Sequence, residues 1–333
     1  MNPMNLLIND VCNRSCSYCF AQNRVKLGQD VALASNNIRL EAVRVYLAFL
    51  KRSHISEFKI LGGEPTLHPQ FSEIVDLGLM DGFTVVVFTN GMWNRRVCEY
   101  VASLGSASVK MVVNVNEPRY WKGKEGEYQA RCLEAAGAKA MIGFNIFEPD
   151  FDLLFTRELI ARFGLQRELR LGLASPILGQ ANQFISVSMR EQIGSRLLDQ
   201  LEQLEASDVL GCFDCGFVYC MFPEERWGTL IRSVQNGFLS LCRPIIDVGP
   251  DLSAWPCFPL SQLLTVDLRK YENRTELVRY FSERLSAFRQ FGTRDECREC
   301  AFFRRQQCTG GCIAHCIRGF ADSDPAVLHK AAS

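Results

Sequence analysis

The sequence predicts an α/β protein: a partial, open (β/α)6 barrel of the TIM type, followed by a small Cys-rich C-terminal domain. Three observations predict it. Short apolar strands alternate with helical periods from residue 5 to about 205. Those strands are β-branched and apolar on both faces, as in Thr84-Val-Val-Val-Phe-Thr89, which suits a parallel sheet covered by helices. After about residue 206 the alternation stops and Cys, Gly, Pro and aromatic residues take over. Six repeats are too few for a full eight-stranded barrel, and in folds of this type chemistry gathers on loops at the C-terminal ends of the strands.

In chain order, the expected strands are Leu6–Ile8, Phe58–Leu61, Thr84–Thr89, Val109–Val115, Ala140–Phe147 and Leu169–Ala174. The expected helices are Leu40–Lys51, Pro69–Leu79, Asn94–Leu104, Tyr128–Ala136, Phe151–Phe163 and Ser188–Leu204. Gly105, Gly137 and Gly164 fall where helix C-caps belong. Beyond the barrel one helical stretch is expected near Thr275–Phe291. The chain therefore divides into 1–208, a barrel core; 209–320, a Cys-rich domain; and 321–333, a polar tail.

Composition narrows the function. Apolar residues make up 47% and charged residues 22% of the 333, which is ordinary for a globular protein. Lys plus Arg equals Asp plus Glu at 37 each, so the excess of cations that a general nucleic-acid binder needs is missing. No apolar run approaches the roughly 18 residues of a membrane span. The first ten residues lack a cationic segment followed by an apolar one, so a cytoplasmic location is expected. Fifteen cysteines, an odd count in an unsecreted chain, point to metal-binding thiolates rather than disulfides.

Two motifs carry chemistry in the first half. Cys12-Asn-Arg-Ser-Cys16-Ser-Tyr-Cys19 follows the first strand directly. Three thiolates on one short loop can hold three irons of a [4Fe–4S] cube and leave the fourth open to a small ligand. A structural zinc site with a distant fourth ligand is the alternative. Gly62-Gly63-Glu64-Pro65 ends the second strand. Two glycines allow close backbone approach to a ligand, and Glu64 offers a carboxylate to a cation beside it.

In these two motifs the chain resembles the radical S-adenosylmethionine (SAM) superfamily. The resemblance covers roughly residues 5–205 and rests on Cys12, Cys16 and Cys19 with the aromatic Tyr18, and on Gly62, Gly63 and Glu64. It implies a [4Fe–4S] cluster with SAM on its open iron, Tyr18 by the adenine and Glu64 at the methionyl amine. It further implies SAM contacts at later strand ends, here Asn90, Asn114, Asn116, Asn145 and Ala174 within Leu173-Ala174-Ser175. An Asn at a strand end is also a common turn former. The implied chemistry is reductive cleavage of SAM to a 5′-deoxyadenosyl radical that abstracts hydrogen from a substrate.

The later cysteines read Cys242-x14-Cys257, then Cys297-x2-Cys300-x7-Cys308-x3-Cys312-x3-Cys316, with Cys212, Cys215 and Cys220 upstream. Zinc ribbons are the plain alternative. The pattern resembles the SPASM extension of radical SAM enzymes, which carries two auxiliary [4Fe–4S] clusters. By that resemblance one cluster takes Cys242, Cys257, Cys312 and an upstream thiol, preferably Cys215 among Cys212, Cys215 and Cys220. The other takes Cys297, Cys300, Cys308 and Cys316. The Cys300–Cys308 spacing is longer, and Cys316 follows sooner, than in that pattern.

SPASM-type relatives mostly modify ribosomally made peptides by cross-linking, epimerisation or oxidation, so a peptide substrate is expected. A small molecule, such as a sugar, aminocyclitol or amino acid, is the alternative. The implied partners are a reductant such as flavodoxin or ferredoxin and, because Cys12 stands almost at the start, a separate leader-binding protein. Nucleic acid and membrane are not expected. Asp214, between two cysteines, is the candidate acid–base residue; Asp247 and Asp251 flank Gly249, and Phe258 after Cys257 offers no base. His315 is the one histidine beside an expected metal site, while His54, His68 and His329 stand apart. Cys98 and Cys132 are expected to be packing thiols inside helices.

Overall fold

A computed structural model describes residues 4–28, 36–235 and 240–323. The expected tail, with His329, lies outside the described residues apart from its first positions.

Seven parallel strands follow one another in chain order across the sheet: β1 (Asn5–Leu7), β2 (Glu57–Leu61), β3 (Thr84–Thr89), β4 (Val109–Asn114), β5 (Ala140–Ile146), β6 (Glu168–Leu173) and β7 (Leu210–Phe213). Each crossover from β1 to β7 carries a helix, namely α1 (Leu40–Arg52), α2 (Phe71–Met80), α3 (Arg95–Ser103), α4 (Glu125–Ala136), α5 (Phe155–Phe163) and α6 (Arg190–Glu205). This is the partial barrel the alternation predicts, with every expected strand and helix found within a few residues of its expected bounds. The helices turn their apolar faces to one side of the sheet. Leu6, Phe58, Ile60, Val85, Val87, Met111, Ile142, Phe144, Leu169 and Leu171 are buried there in one core with Tyr46, Leu50, Ile74 and Leu201. Gly137 and Gly164 end α4 and α5 with positive φ of 51° and 61°, as C-caps do, whereas α3 is capped by Leu104, one residue before Gly105.

The other face of the sheet differs from expectation. It is not apolar: it carries Glu57 and Lys59 on β2, Lys110 and Asn114 on β4, Asn145 on β5, and Arg170 on β6. Lys59 pairs with Glu57 at 3.1 Å, and Arg170 pairs with Asp214. A barrel interior that holds a ligand needs such polar groups, and period-2 alternation sets them opposite the helix-facing residues.

The sheet also runs across the expected border at 208/209. Strand β7 adds in parallel to β6, and β8 (Asp247–Val248) adds in parallel to β1 on the opposite flank. Two antiparallel strands, β9 (Ser253–Trp255) and β10 (Val266–Asp267), extend that flank. Helix α7 (Trp227–Ser233) lies between β7 and β8, and beyond β10 come α8 (Arg274–Phe291), α9 (Asp295–Glu299), α10 (Ala301–Arg304) and α11 (Ile313–Ser323). Helix α8 starts where Asn273 caps the amides of Thr275 and Glu276, and buries Leu277, Phe281 and Leu285.

Candidate active site

Cys12 closes a two-residue strand, Val11–Cys12, which pairs with Lys26–Leu27, so the cysteine loop is folded back on itself. Inside it the Cys19 amide donates to the Cys16 carbonyl at 3.2 Å. Outside it Ser17 bonds Gln183, Asn23 bonds the Leu178 carbonyl, and the buried Arg14 pairs with Glu125 at 3.1 Å. Arg24 lies over the Trp255 ring at 4.5 Å and donates to Thr265 and to the Ser261 carbonyl. The loop is thereby tied to both barrel and Cys-rich region.

Burial pushes the Cys12 thiol up to about 12 and Cys19 up to about 11, with neighbouring negative groups adding to it. A metal reverses that order, since a thiolate ligand exchanges its proton for the metal's charge. Two N–H donors already face the Cys12 sulfur, the Arg14 amide at 3.4 Å and Asn90 Nδ2 at 3.6 Å. Cys16 and Cys19 weigh on Cys12 electrostatically, so the three thiols form one group.

The Gly-Gly-Glu turn packs directly on this loop. An added Cβ on Gly63 would stand 2.1 Å from the Val11 carbonyl oxygen, and one on Gly62 would stand 2.3 Å from Asn9 Oδ1. On their Cβ side the two glycines thus admit protein backbone and the Asn9 side chain. Asn9, fully buried and invisible as a site residue in the sequence, donates to the Glu64 carbonyl at 2.8 Å and accepts from the Gly63 amide at 3.1 Å.

Glu64 is fully buried. Its Oε1 accepts from the Thr66 and Thr89 hydroxyls, each at 2.7 Å, and from the Thr66 amide at 3.2 Å. Its Oε2 accepts from the Asn90 amide at 2.7 Å. Burial raises its pKa and these four donors oppose the rise. Asn90 therefore joins Glu64 to Cys12, linking the two motifs through one residue.

Tyr18 stacks on Phe147 with ring centroids 4.4 Å apart, and its hydroxyl donates to Asn116. Ala174 completes that cluster, with Tyr120 and Phe184 at its edge. Asn114 and Asn145 stand on the inner face, each over a glycine of the next strand. A Cβ on Gly143 would be 2.6 Å from Asn114 Oδ1, and one on Gly172 would be 2.6 Å from Asn145 Oδ1. Asn114 Oδ1 is buried and has no protein donor. A buried acceptor left over on the inner face fits a ligand that donates a hydrogen bond, and the Tyr18–Phe147 pair offers a flat ring a surface. The expected SAM-side residues thus gather on one side of the barrel.

Asp214, the candidate base, is held in an ion pair by Arg170, whose guanidinium lies 5.2 Å over the Phe88 ring. Asp247, which flanks Gly249, is a buried strand carboxylate bonded by Asn5 at 2.6 Å and by the Phe258 amide. Burial, with Asp214 adding, pushes it up to about 7. The position after Cys257 therefore has a carboxylate beside it, brought from β8.

The later thiols fall into two groups. Cys215, Cys242, Cys257 and Cys312 influence one another, and Cys312 is hydrogen-bonded to Cys242, whose thiol is lowered to about 5 by that bond and by Arg289. Cys297, Cys300 and Cys308 form the second group with Cys220. The thiol that weighs most on Cys316 is Cys242. Cys212 faces Glu168, Asp214, Arg170 and Lys59 instead. His315 is edge-on to Phe184 and pushed down to about 4 by burial beside Arg190 and Arg318. Cys132 is fully buried in the barrel core and Cys98 packs against it. Among the described residues no three His, Cys, Asp or Glu side chains close on a single ion.

Residues 6–129 match the family model described as the Radical SAM superfamily. Over that span the chain is similar to that superfamily. A SAM-dependent nucleotide dehydratase of Selenomonas ruminantium is 34% identical over 93 residues, 26% of this chain and 29% of that protein. A GTP 3′,8-cyclase of Mannheimia succiniciproducens is 26% identical over 126 residues, 37% of this chain and 36% of that protein. The chain thus spans about a third of the length of these curated relatives. Two solved folds extend the likeness further. Streptococcus suis SuiB bound to SAM has a TM-score of 0.65 at 12% identity, covering 95% of this chain and 74% of SuiB. The native anSMEcpe with AdoMet and the Cp18Cys peptide has a TM-score of 0.57 at 15% identity, covering 98% of each chain. The family implies a [4Fe–4S] cluster and SAM. No helix of the described residues is long and apolar enough to cross a membrane.

Proposed function

We propose that the chain is a radical SAM enzyme that modifies a peptide, with two auxiliary iron–sulfur sites in its C-terminal part. The observation that carries the reading is the seat of Gly63 on the Val11–Cys12 backbone. It makes the cysteine loop and the Glu64 turn one rigid unit. Cys12, Cys16 and Cys19 would hold a [4Fe–4S] cluster, and the chemistry it would supply when bound is one-electron reduction of SAM leading to hydrogen abstraction from the substrate. The chain's own residues do the rest. Asn90 donates to the Cys12 sulfur, Tyr18 and Phe147 offer a stacked aromatic surface, and Asn114 offers a free acceptor. Buried groups around them keep water from the reacting atoms.

The peptide reading is supported by the folds that cover nearly the whole chain. One is SuiB, also solved with its precursor peptide SuiA, and another is anSMEcpe with a bound peptide. The curated relatives favour a second reading, a nucleotide-like small molecule, over the barrel alone. Anaerobic reduction of the reconstituted chain with dithionite and SAM is expected to give 5′-deoxyadenosine, and the Cys12, Cys16, Cys19→Ala triple variant none. Product from the triple variant rejects the assignment. Deuterium passing into 5′-deoxyadenosine from a co-expressed peptide, and not from nucleotides, decides the substrate.

A further inference from the structure

We propose that Cys220, not Cys316, completes the second auxiliary site with Cys297, Cys300 and Cys308. The inference rests on the auxiliary-cluster reading above and names a ligand that the sequence pattern places elsewhere.

The geometry begins at Tyr219. Its ring stacks on Phe302 with centroids 4.4 Å apart and planes 15° apart, and Trp227 closes edge-on against Phe302 at 5.3 Å. Phe302 lies between Cys300 and Cys308, and its carbonyl accepts the amides of Gln307 at 2.9 Å and Cys308 at 3.2 Å. This aromatic clamp therefore fixes the neighbour of Cys220 onto the turn that presents Cys308. The Cys308 sulfur accepts from Ser240 Oγ at 3.0 Å and from the Gly310 amide at 3.4 Å, which fixes its position on the turn. A Cβ on Gly310 would lie 3.9 Å from the Cys297 sulfur, so that thiol faces the same turn. The Cys300 amide bonds the Cys297 carbonyl at 3.1 Å, closing the two-residue spacing.

The electrostatics agree. The thiols that weigh on Cys297 are Cys220, Cys308 and Cys300, and the one that weighs on Cys220 is Cys308. Cys316, on α11, answers to Cys242 in the other group. Arg190 of α6 supplies a third observation. It is 6% exposed and makes no ion pair with a carboxylate among the described residues. The thiols around it are Cys312, Cys220 and Cys316. A Cβ on Gly311 would come within 2.9 Å of its guanidinium. A buried cation needs an anionic partner, and thiolate-ligated clusters on both sides provide one.

Iron counting on the full chain tests this. The Cys12, Cys16, Cys19→Ala background removes the barrel site, so reconstitution reports the auxiliary sites alone. About eight irons are expected there, four per cube, falling to about four on adding Cys220→Ala and staying at about eight on adding Cys316→Ala. Loss on Cys316→Ala, or no loss on Cys220→Ala, overturns the assignment. Cys220→Ser guards against a folding defect. Serine oxygen in place of sulfur is expected to keep the irons but change the electron paramagnetic resonance spectrum of one reduced auxiliary cluster, and an unchanged spectrum overturns the assignment. About four irons in the unmutated chain rejects the auxiliary reading and this ligand with it. A chain that makes no 5′-deoxyadenosine but follows the expected counts rejects the proposed activity and leaves Cys220 in place.

Discussion

The barrel site and the C-terminal thiol groups hold cysteine in opposite ways. Cys12, Cys16 and Cys19 sit on one short loop, clamped by backbone pairing, by Gly63 and by ties to Gln183, Leu178 and Glu125. Cys215, Cys242, Cys257 and Cys312 come from four separate segments, and the proposed grouping of Cys220 with Cys297, Cys300 and Cys308 spans a similar gap. Loop closure over such separations costs entropy that few local contacts offset. On the proposed reading the barrel scaffold makes its metal site, whereas metal sites in the C-terminal part would make much of their own scaffold.

Metal removal should separate the two regions, with the largest effect expected. Helices α9 and α10 have five and four residues, too short to persist alone. Chelation of the reconstituted chain is expected to expose Arg298, Arg304 and Arg305 to trypsin while the barrel survives as a resistant fragment. Equal protection of both regions after chelation breaks the comparison.

The next effect lies at the seam. Asp247 joins β8 to β1 through Asn5, and burial holds its proton more tightly in the folded chain than in the unfolded one. Its contribution is complete below the ordinary carboxylate value of 3.8 and is lost as pH rises through about 7. Relative to Asp247→Asn, the parent should lose up to about 4 kcal/mol across that window. Melting curves at several pH values check this, and parallel slopes in parent and variant reject it.

How much of this was legible in the sequence follows the same division. Every barrel strand and helix was readable because apolar periodicity and glycine caps are local signals. The cysteine loop and Glu64 were readable as motifs. That Asn9 and Val11 pack against the two glycines was not legible, because nothing local says what fills the space beside them. The polar inner face was missed because Lys59, Asn114 and Arg170 interrupt otherwise apolar strands singly. The continuation of the sheet into β7 and β8 was missed because those strands have four and two residues. Cys220 and Asp247 could not be placed at all: their partners lie far along the chain, and only the folded sheet brings them together.

Gly63→Ala tests the barrel half. Its methyl group meets the Val11 carbonyl, which is backbone and cannot swing aside. Overpacking of this kind costs about 1–3 kcal/mol. It should also shift the cysteine loop, and a displacement near 1 Å lowers rate by about 100-fold. The expected result is a well-folded chain that keeps its auxiliary irons and cleaves SAM slowly. Unchanged cleavage would show that the loop and the Glu64 turn move independently.

The smallest effect belongs to His68, just after the Glu64 turn. Its Nδ1 accepts from the Gln70 amide at 3.0 Å, so the proton sits on Nε2, which faces the Ile38 carbonyl at 3.1 Å. Burial lowers its pKa below 6.5, so the folded chain prefers the neutral ring. The sign is opposite to that of Asp247. Stability from His68 is complete above its ordinary value and is lost as pH falls below it. Melting of parent and His68→Gln between about pH 8 and pH 5 should show a gap that narrows on acidification. The two windows overlap, so below about pH 6.5 His68 and Asp247 change the stability in opposite directions and partly cancel. If the His68→Gln gap stays constant with pH, the barrel side of that balance rests on other groups.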